Sequence, residues 1–391
     1  MRLHFAAAVF FSIIALVSCR TAPGKVDTKP ELFRTPVLQR RMSAQTEARR
    51  VQKIMSRMTL HQKIGQRFIC WIEGKEIGEQ AAELVRQGAA GIILYPWNVD
   101  DFEQVRQLTA ELQRAARGGD PPIGFFVCAD QEGGRVATFR FRENTRLAPA
   151  FFWGRYQDPR FATAAAFIAG REIRELGCNM NFAPVLDLYG QADSTIIGDR
   201  AMGLDPEKVG QLGIAYLQGA RQAGIIPVIK HFPGHGSSTV DSHGRLPVVD
   251  IPEERLLERD FLPFRMAIQA GAEALMTAHV LYPDIDPEYP ATLSRRILRD
   301  LLRERFGFQG VIVSDGMAMG ALAENFTVSD TLKLMIQAGL DLILVHSRYD
   351  LIDLKLEMLG LYYRGEITEA QIDEGVERIL KLKLRYGLLP Y

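Results

Sequence analysis

Residues 206–232 read PEKVGQLGIAYLQGARQAGIIPVIKHF, and the two halves of this stretch follow different periods. From Pro206 to Ala223 apolar residues recur three and four apart, the spacing of a helix that covers an apolar surface along one stripe. From Ile226 to Phe232 the run is short and apolar until Lys230 and His231. It is too short for a buried helix and has the composition of a strand buried on both faces. A helix feeding such a strand is one unit of an alternating α/β chain.

The alternation extends in both directions. Short runs rich in Val, Ile and Phe occupy Ile64–Ile72, Gly91–Pro96, Ile123–Asp130, Asn179–Leu188, Ala274–Tyr282, Gly310–Asp315 and Leu340–His346. Helical patterns fall between them at Gln104–Ala116, Ala162–Leu176 and Glu254–Ala270, and a last one spans Glu369 to Leu388. Runs alternating with helices imply a parallel sheet. Eight runs in roughly 300 residues match the count and scale of a single (β/α)8 TIM-type barrel. An open doubly wound sheet is the competitor, but no GxGxxG turn follows the first run. Barrel active sites lie at the C-terminal ends of the strands. Asp130, Asp187, Lys230 with His231, His279, Asp315 and His346 end the third to eighth runs, so a polar mouth is expected there.

Of the 391 residues 47% are apolar, enough for a large core, and 47 Lys and Arg balance 47 Asp and Glu. A net charge of zero argues against nucleic acid or an anionic membrane as the main partner. Ahead of the barrel, Arg2 and His4 precede an apolar run from Phe5 to Val17. That run is too short to span a bilayer and suits the core of a secretory signal. It ends in Leu16-Val17-Ser18-Cys19, which resembles the lipobox of bacterial lipoproteins, whose cysteine carries the lipid. A plain signal peptide with an incidental cysteine is the alternative. The expected organisation is a lipoprotein signal at 1–19 ending on Cys19, a tether at 20–49 and a barrel domain at 50–391. The protein is then exported and held in the cell envelope, touching membrane only through the lipid. Cys70, Cys128 and Cys178 lie in or beside strand-like runs and read as buried, unpaired thiols.

Two places carry chemistry. Asp315, in Val311-Ile-Val-Ser-Asp315-Gly-Met, is a carboxylate leaving a buried strand, and such a group can attack an anomeric carbon. Its other reading is a helix N-cap for Met317–Ala323. The stretch KHFPGHGSSTVDSH, residues 230–243, begins with two donors at a strand end and continues into a polar loop. Asp241 and His243, two apart, could face the same side, so that the carboxylate orients the imidazole for proton transfer. A metal site from His231, His235, His243 and Asp241, or histidines that merely hold the loop together, are the alternatives.

Taken together these residues resemble glycoside hydrolase family 3, and within it the NagZ-like β-N-acetylhexosaminidases. The resemblance runs from about Met58 to Leu388 through Asp130-Gln-Glu-Gly-Gly-Arg135-Val, Asn181-Phe-Ala-Pro-Val-Leu-Asp187, Ile197-Gly-Asp-Arg200, the 230–243 stretch, Met276-Thr-Ala-His279-Val and Ser314-Asp315. It implies that Asp315 is the nucleophile, His243 the acid/base and Asp241 its partner. It further implies that Asp130, Arg200, Lys230 and His231 hold a terminal N-acetylglucosamine. No metal or organic cofactor is implied, the partner is a carbohydrate substrate, and a monomer is expected. The expected activity is retaining removal of terminal β-linked N-acetylglucosamine from peptidoglycan-derived or related glycans. A β-glucosidase, a phosphorylase using the same residues, and a non-catalytic sugar-binding lipoprotein are the competing functions. Two departures stand out: Thr138 replaces a substrate-binding arginine, for which Arg140 or Arg142 could substitute, and Gly316-Met317 replaces Asp-Leu.

Overall fold

Short apolar strands with helices between them have one economical closure, and the chain adopts it. The structure, a computed structural model, describes residues 43–142, 144–189, 196–238 and 246–389. Cys19, Asp241 and His243 lie outside the described residues. The barrel strands are β1 (Phe68–Trp71), β2 (Gly91–Ile93), β3 (Phe126–Ala129), β4 (Met180–Asn181), β5 (Ile226–Phe232), β6 (Ala274–Thr277), β7 (Val311–Gly316) and β8 (Leu342–Val345). Each pairs in parallel with the next, and β8 returns to β1, so the sheet is a closed eight-stranded barrel.

Alternate side chains build two cores. Ile69, Ile93, Phe126, Cys128, Met180, Val228, Met276, Val313 and Leu344 fill the barrel, while Cys70, Ile92, Val127, Ile229, Leu275, Ile312 and Ile343 face the helices. Cys70, Cys128 and Cys178 are buried free thiols. Pairing slips between Ile229 and Phe232 on β5, and between Val313 and Gly316 on β7 opposite β8. Both irregularities sit in the C-terminal halves of their strands and re-aim Lys230, His231 and Asp315.

Three expected boundaries move. The run Ile64–Ile72 divides into a helix, Leu60–Gly65, and β1. The pattern Glu254–Ala270 divides into Glu253–Glu258 and Leu262–Gln269. The helix Ala44–Met55 starts inside the expected tether, capped by Ser43, and its buried Glu47 pairs at 2.7 Å with Arg385 of the last helix, Glu369–Arg385. Among the described residues no helix is long and apolar enough to cross a membrane.

Candidate active site

Four strand ends supply a charged cluster. Asp130 leaves β3, and the chain folds back at once through a two-stranded ribbon, Gln131–Gly133 with Val136–Ala137. Gly133 and Gly134 make the bend with φ of 99° and 57°, a backbone region in which a side chain is strained. A Cβ at Gly134 would also lie 2.7 Å from the ring of Pro149. The bend delivers Glu132 to the cluster. Its two oxygens accept from Nε and an Nη of Arg200, both at 2.8 Å. Arg200 comes from the short turn Gly198–Arg200 after β4.

Lys230, buried on β5, links the parts: its Nζ lies 2.6 Å from Asp130 Oδ1 and 2.6 Å from Glu132 Oε1. Burial alone would lower this lysine's pKa, but Asp130 and Glu132 more than offset it and hold the ammonium charged. Its neighbour His231 is fixed from behind. Asp187, fully buried after β4, accepts from His231 Nδ1 at 2.6 Å and from the His231 backbone N–H at 3.2 Å. The imidazole Nε2 then faces Arg200 at 3.4 Å. Burial pushes the Asp187 carboxyl up, yet His231 and the His235 backbone N–H bring it below the usual range.

Asp315 stands at the end of β7, its Oδ1 accepting from the Gly316 N–H at 2.8 Å. It does not cap a helix, because the next one, Gly320–Ala323, starts from Met319. Burial would raise its pKa, but His231, His279, the Gly316 N–H and Lys230 more than offset that and keep it ionised. His279, itself pushed toward the neutral form by burial, braces this strand end: Nε2 meets the Gly316 carbonyl at 3.1 Å and Nδ1 meets Thr292 Oγ1 at 2.8 Å.

The cluster thus brings together Asp130, Arg200, Lys230, His231 and Asp315. Of the 230–243 stretch the described part is its root. The His235 N–H donates to Asp187 Oδ1 at 2.6 Å, and Ser237 Oγ donates to Asp260 Oδ1 at 2.6 Å. Among the described residues no group of three or more His, Cys, Asp or Glu has metal-binding geometry. His346 meets the rings of Tyr95 and Trp97 beyond β2. Thr138 is buried, its hydroxyl 3.2 Å from the Asp130 carbonyl. The Arg140 guanidinium donates to the Ala137 and Arg135 carbonyls of its own loop.

Pattern reading assigned no role to Glu132 and Asp260, and for Asp187 it gave a place at the mouth but not its partner, His231. Glu132 and Asp187 lie inside quoted motifs, so their signal was present. Asp260 was hidden inside a helical pattern.

The glycosyl hydrolase family 3 N-terminal domain matches residues 59–382. The chain belongs to glycosyl hydrolase family 3. Similar proteins include Beta-hexosaminidase A of Pseudoalteromonas piscicida, 32% identical over 84% of this chain and 61% of that protein. Another is the Beta-hexosaminidase of Xanthomonas oryzae pv. oryzae, 38% identical over 70% of this chain and 81% of the relative. A family 3 beta-N-acetylglucosaminidase structure from Paenibacillus sp. str. FPU-7 superposes with a TM-score of 0.82 at 38% identity, over 85% of this chain and 63% of that one. The chain therefore spans less than two thirds of the Pseudoalteromonas and Paenibacillus proteins, and the barrel is the shared part.

Proposed function

We propose that this family 3 barrel is a retaining exo-β-N-acetylglucosaminidase acting on peptidoglycan-derived or related glycans. The observation that carries the reading is Asp315: a strand-end carboxylate kept ionised beside a cradle of Asp130, Lys230, Arg200 and His231. The names of the hexosaminidase relatives support the choice of sugar.

In the proposed cycle Asp130, Lys230, Arg200 and His231 hold the hydroxyls of the terminal sugar. Asp315 attacks the anomeric carbon as the glycosidic C–O bond breaks, and His243, oriented by Asp241, gives its proton to the departing oxygen. His243 then takes a proton from water, which attacks the same carbon and releases Asp315. Two displacements leave the anomeric configuration unchanged. The Gly316 N–H and the Lys230 ammonium serve the first step by favouring the ionised nucleophile.

The test compares release of nitrophenol from the β-N-acetylglucosaminide and the β-glucoside by wild type and Asp315→Ala. Wild type is expected to prefer the former, and the variant to lose at least about 1,000-fold in kcat/KM. Equal rates from both proteins would overturn the assignment, and preference for the glucoside would move the chain to the other family activity. We also propose that Cys19 carries a lipid. Cys19→Ser should then move the protein from the membrane fraction to the soluble one, and unchanged partition would exclude the anchor.

A further inference from the structure

The mouth of the barrel has two unlike sides. Charges gather at the ends of β3 to β5, whereas rings gather at the ends of β8, β1 and β2. Tyr95 and Trp97, just past β2, stack with centroids 4.3 Å apart and planes 19° from parallel. His346, just past β8, meets them edge-on at 5.6 and 6.3 Å.

Trp97 is pinned. Its indole N–H donates to the Ile72 carbonyl at 3.3 Å, and the buried Asn98 ties the same turn to the Ile72 and Gly74 carbonyls at 2.9 and 2.8 Å. Even so, 45% of the residue is exposed. Single exposed aromatics are ordinary, but this one is stacked, anchored at its polar tip and placed at a catalytic mouth.

Two further features extend the ring group. Tyr95 marks its inner end: burial, then the Asp130 and Asp315 carboxylates, push its phenol pKa up, which puts the ring within their field. Trp71, at the end of β1, packs like Tyr95 against the barrel-filling core. Trp71 also lines, with Tyr349, a cleft of about 330 Å³, at the lower end of small-molecule sites.

We propose that this ring-lined side is the subsite for the leaving sugar, whose pyranose ring lies flat on Trp97 while the chain continues toward the Trp71–Tyr349 cleft. The proposal rests on the glycosidase reading above. A pyranose has a face of C–H groups that suits the electron-rich face of an indole, and its rim hydroxyls stay in water. The two sides then divide the work. Directed charges fix the sugar whose bond breaks, and a sequence-tolerant stack holds the one that must leave after each cleavage.

The test uses two donors, N-acetyl-β-glucosaminyl fluoride, whose leaving group is one atom, and chitobiose. In Trp97→Ala the ratio of kcat/KM for chitobiose to that for the fluoride should fall about tenfold, and Trp97→Tyr should restore most of it. An unchanged ratio in Trp97→Ala overturns the subsite, as does a loss that Trp97→Tyr fails to recover. Wild type cleaving neither donor would instead sink the activity. Even then, chitobiose titrated calorimetrically into Asp315→Ala, with and without Trp97→Ala, reads the subsite directly: about tenfold weaker binding supports it and equal binding overturns it.

Discussion

Glu132 is surrounded by the two cations that it neutralises, with Arg200 on both oxygens and Lys230 at 2.6 Å. Burial alone would raise its pKa, but Lys230 and Arg200 more than offset this and hold the carboxyl at about 2, against an ordinary 4.5. A depressed carboxyl stabilises the fold fully above its unfolded value, and that stability is lost as pH falls from 4.5 toward about 2. The shift corresponds to ~3 kcal/mol. Glu132→Gln should lower stability at pH 7 by about 3–5 kcal/mol, since Lys230 and Arg200 keep their charge beside a neutral amide. Urea unfolding of both proteins across this range should show the gap closing as pH falls. Parallel curves would refute the pairing as a source of stability. The motif around Asp130 made a site legible here, but not its wiring. Likewise, the exchange of arginine for Thr138 reported a lost charge. Only the folded chain shows that the hydroxyl instead meets the Asp130 carbonyl behind the cradle.

Elements were legible wherever local signals and tertiary packing agree. The helix Pro206–Ala223 and β5 keep the bounds that their periods set. Asp205 caps the helix through the Glu207 and Lys208 N–H groups, Pro206 suits its first turn, and Gly224 ends it at φ 77°. The pattern Glu254–Ala270 has equally good periodicity, yet breaks between Glu258 and Leu262. The break places the buried Asp260 against Ser237, at the root of the loop that leads to Asp241 and His243. No local period encodes that contact, because its partner is a loop residue on another strand's exit. Asn179–Leu188 fails differently. Only Met180–Asn181 is continuous strand, and Val185 rejoins by a single bridge to Lys230. An apolar run reports burial, and burial extends past the ladder wherever a site needs its backbone bent.

On the scale of the whole molecule the barrel separates chemistry from cohesion. Its upper end carries the charged cradle, and its lower end is closed by basic side chains from the surrounding helices. The fully buried Lys383, on the last helix, donates to Gln66 Oε1 and to the Ala90 and Gly124 carbonyls, each at 2.8 Å, just ahead of β1, β2 and β3. Arg303 and Arg378 bind the buried Asp341 ahead of β8 at 2.6 and 2.7 Å. The Lys383 contacts tie the last helix to the entries of three strands, and burial pushes the lysine's pKa well down. Lys383→Met keeps the length of the side chain and removes every donor, so the Gly124 carbonyl and Gln66 Oε1 lose this donor while the Ala90 carbonyl keeps the Phe126 N–H at 3.0 Å. The variant should lose about 3 kcal/mol of stability by chemical denaturation. At a temperature where it remains folded, its kcat/KM should match that of the wild type, because the altered contacts lie at the opposite end from Asp315. A loss of activity in the folded variant comparable to that of Asp315→Ala would mean that the two ends are coupled. Unchanged stability would mean that this side chain is not what fastens the helix.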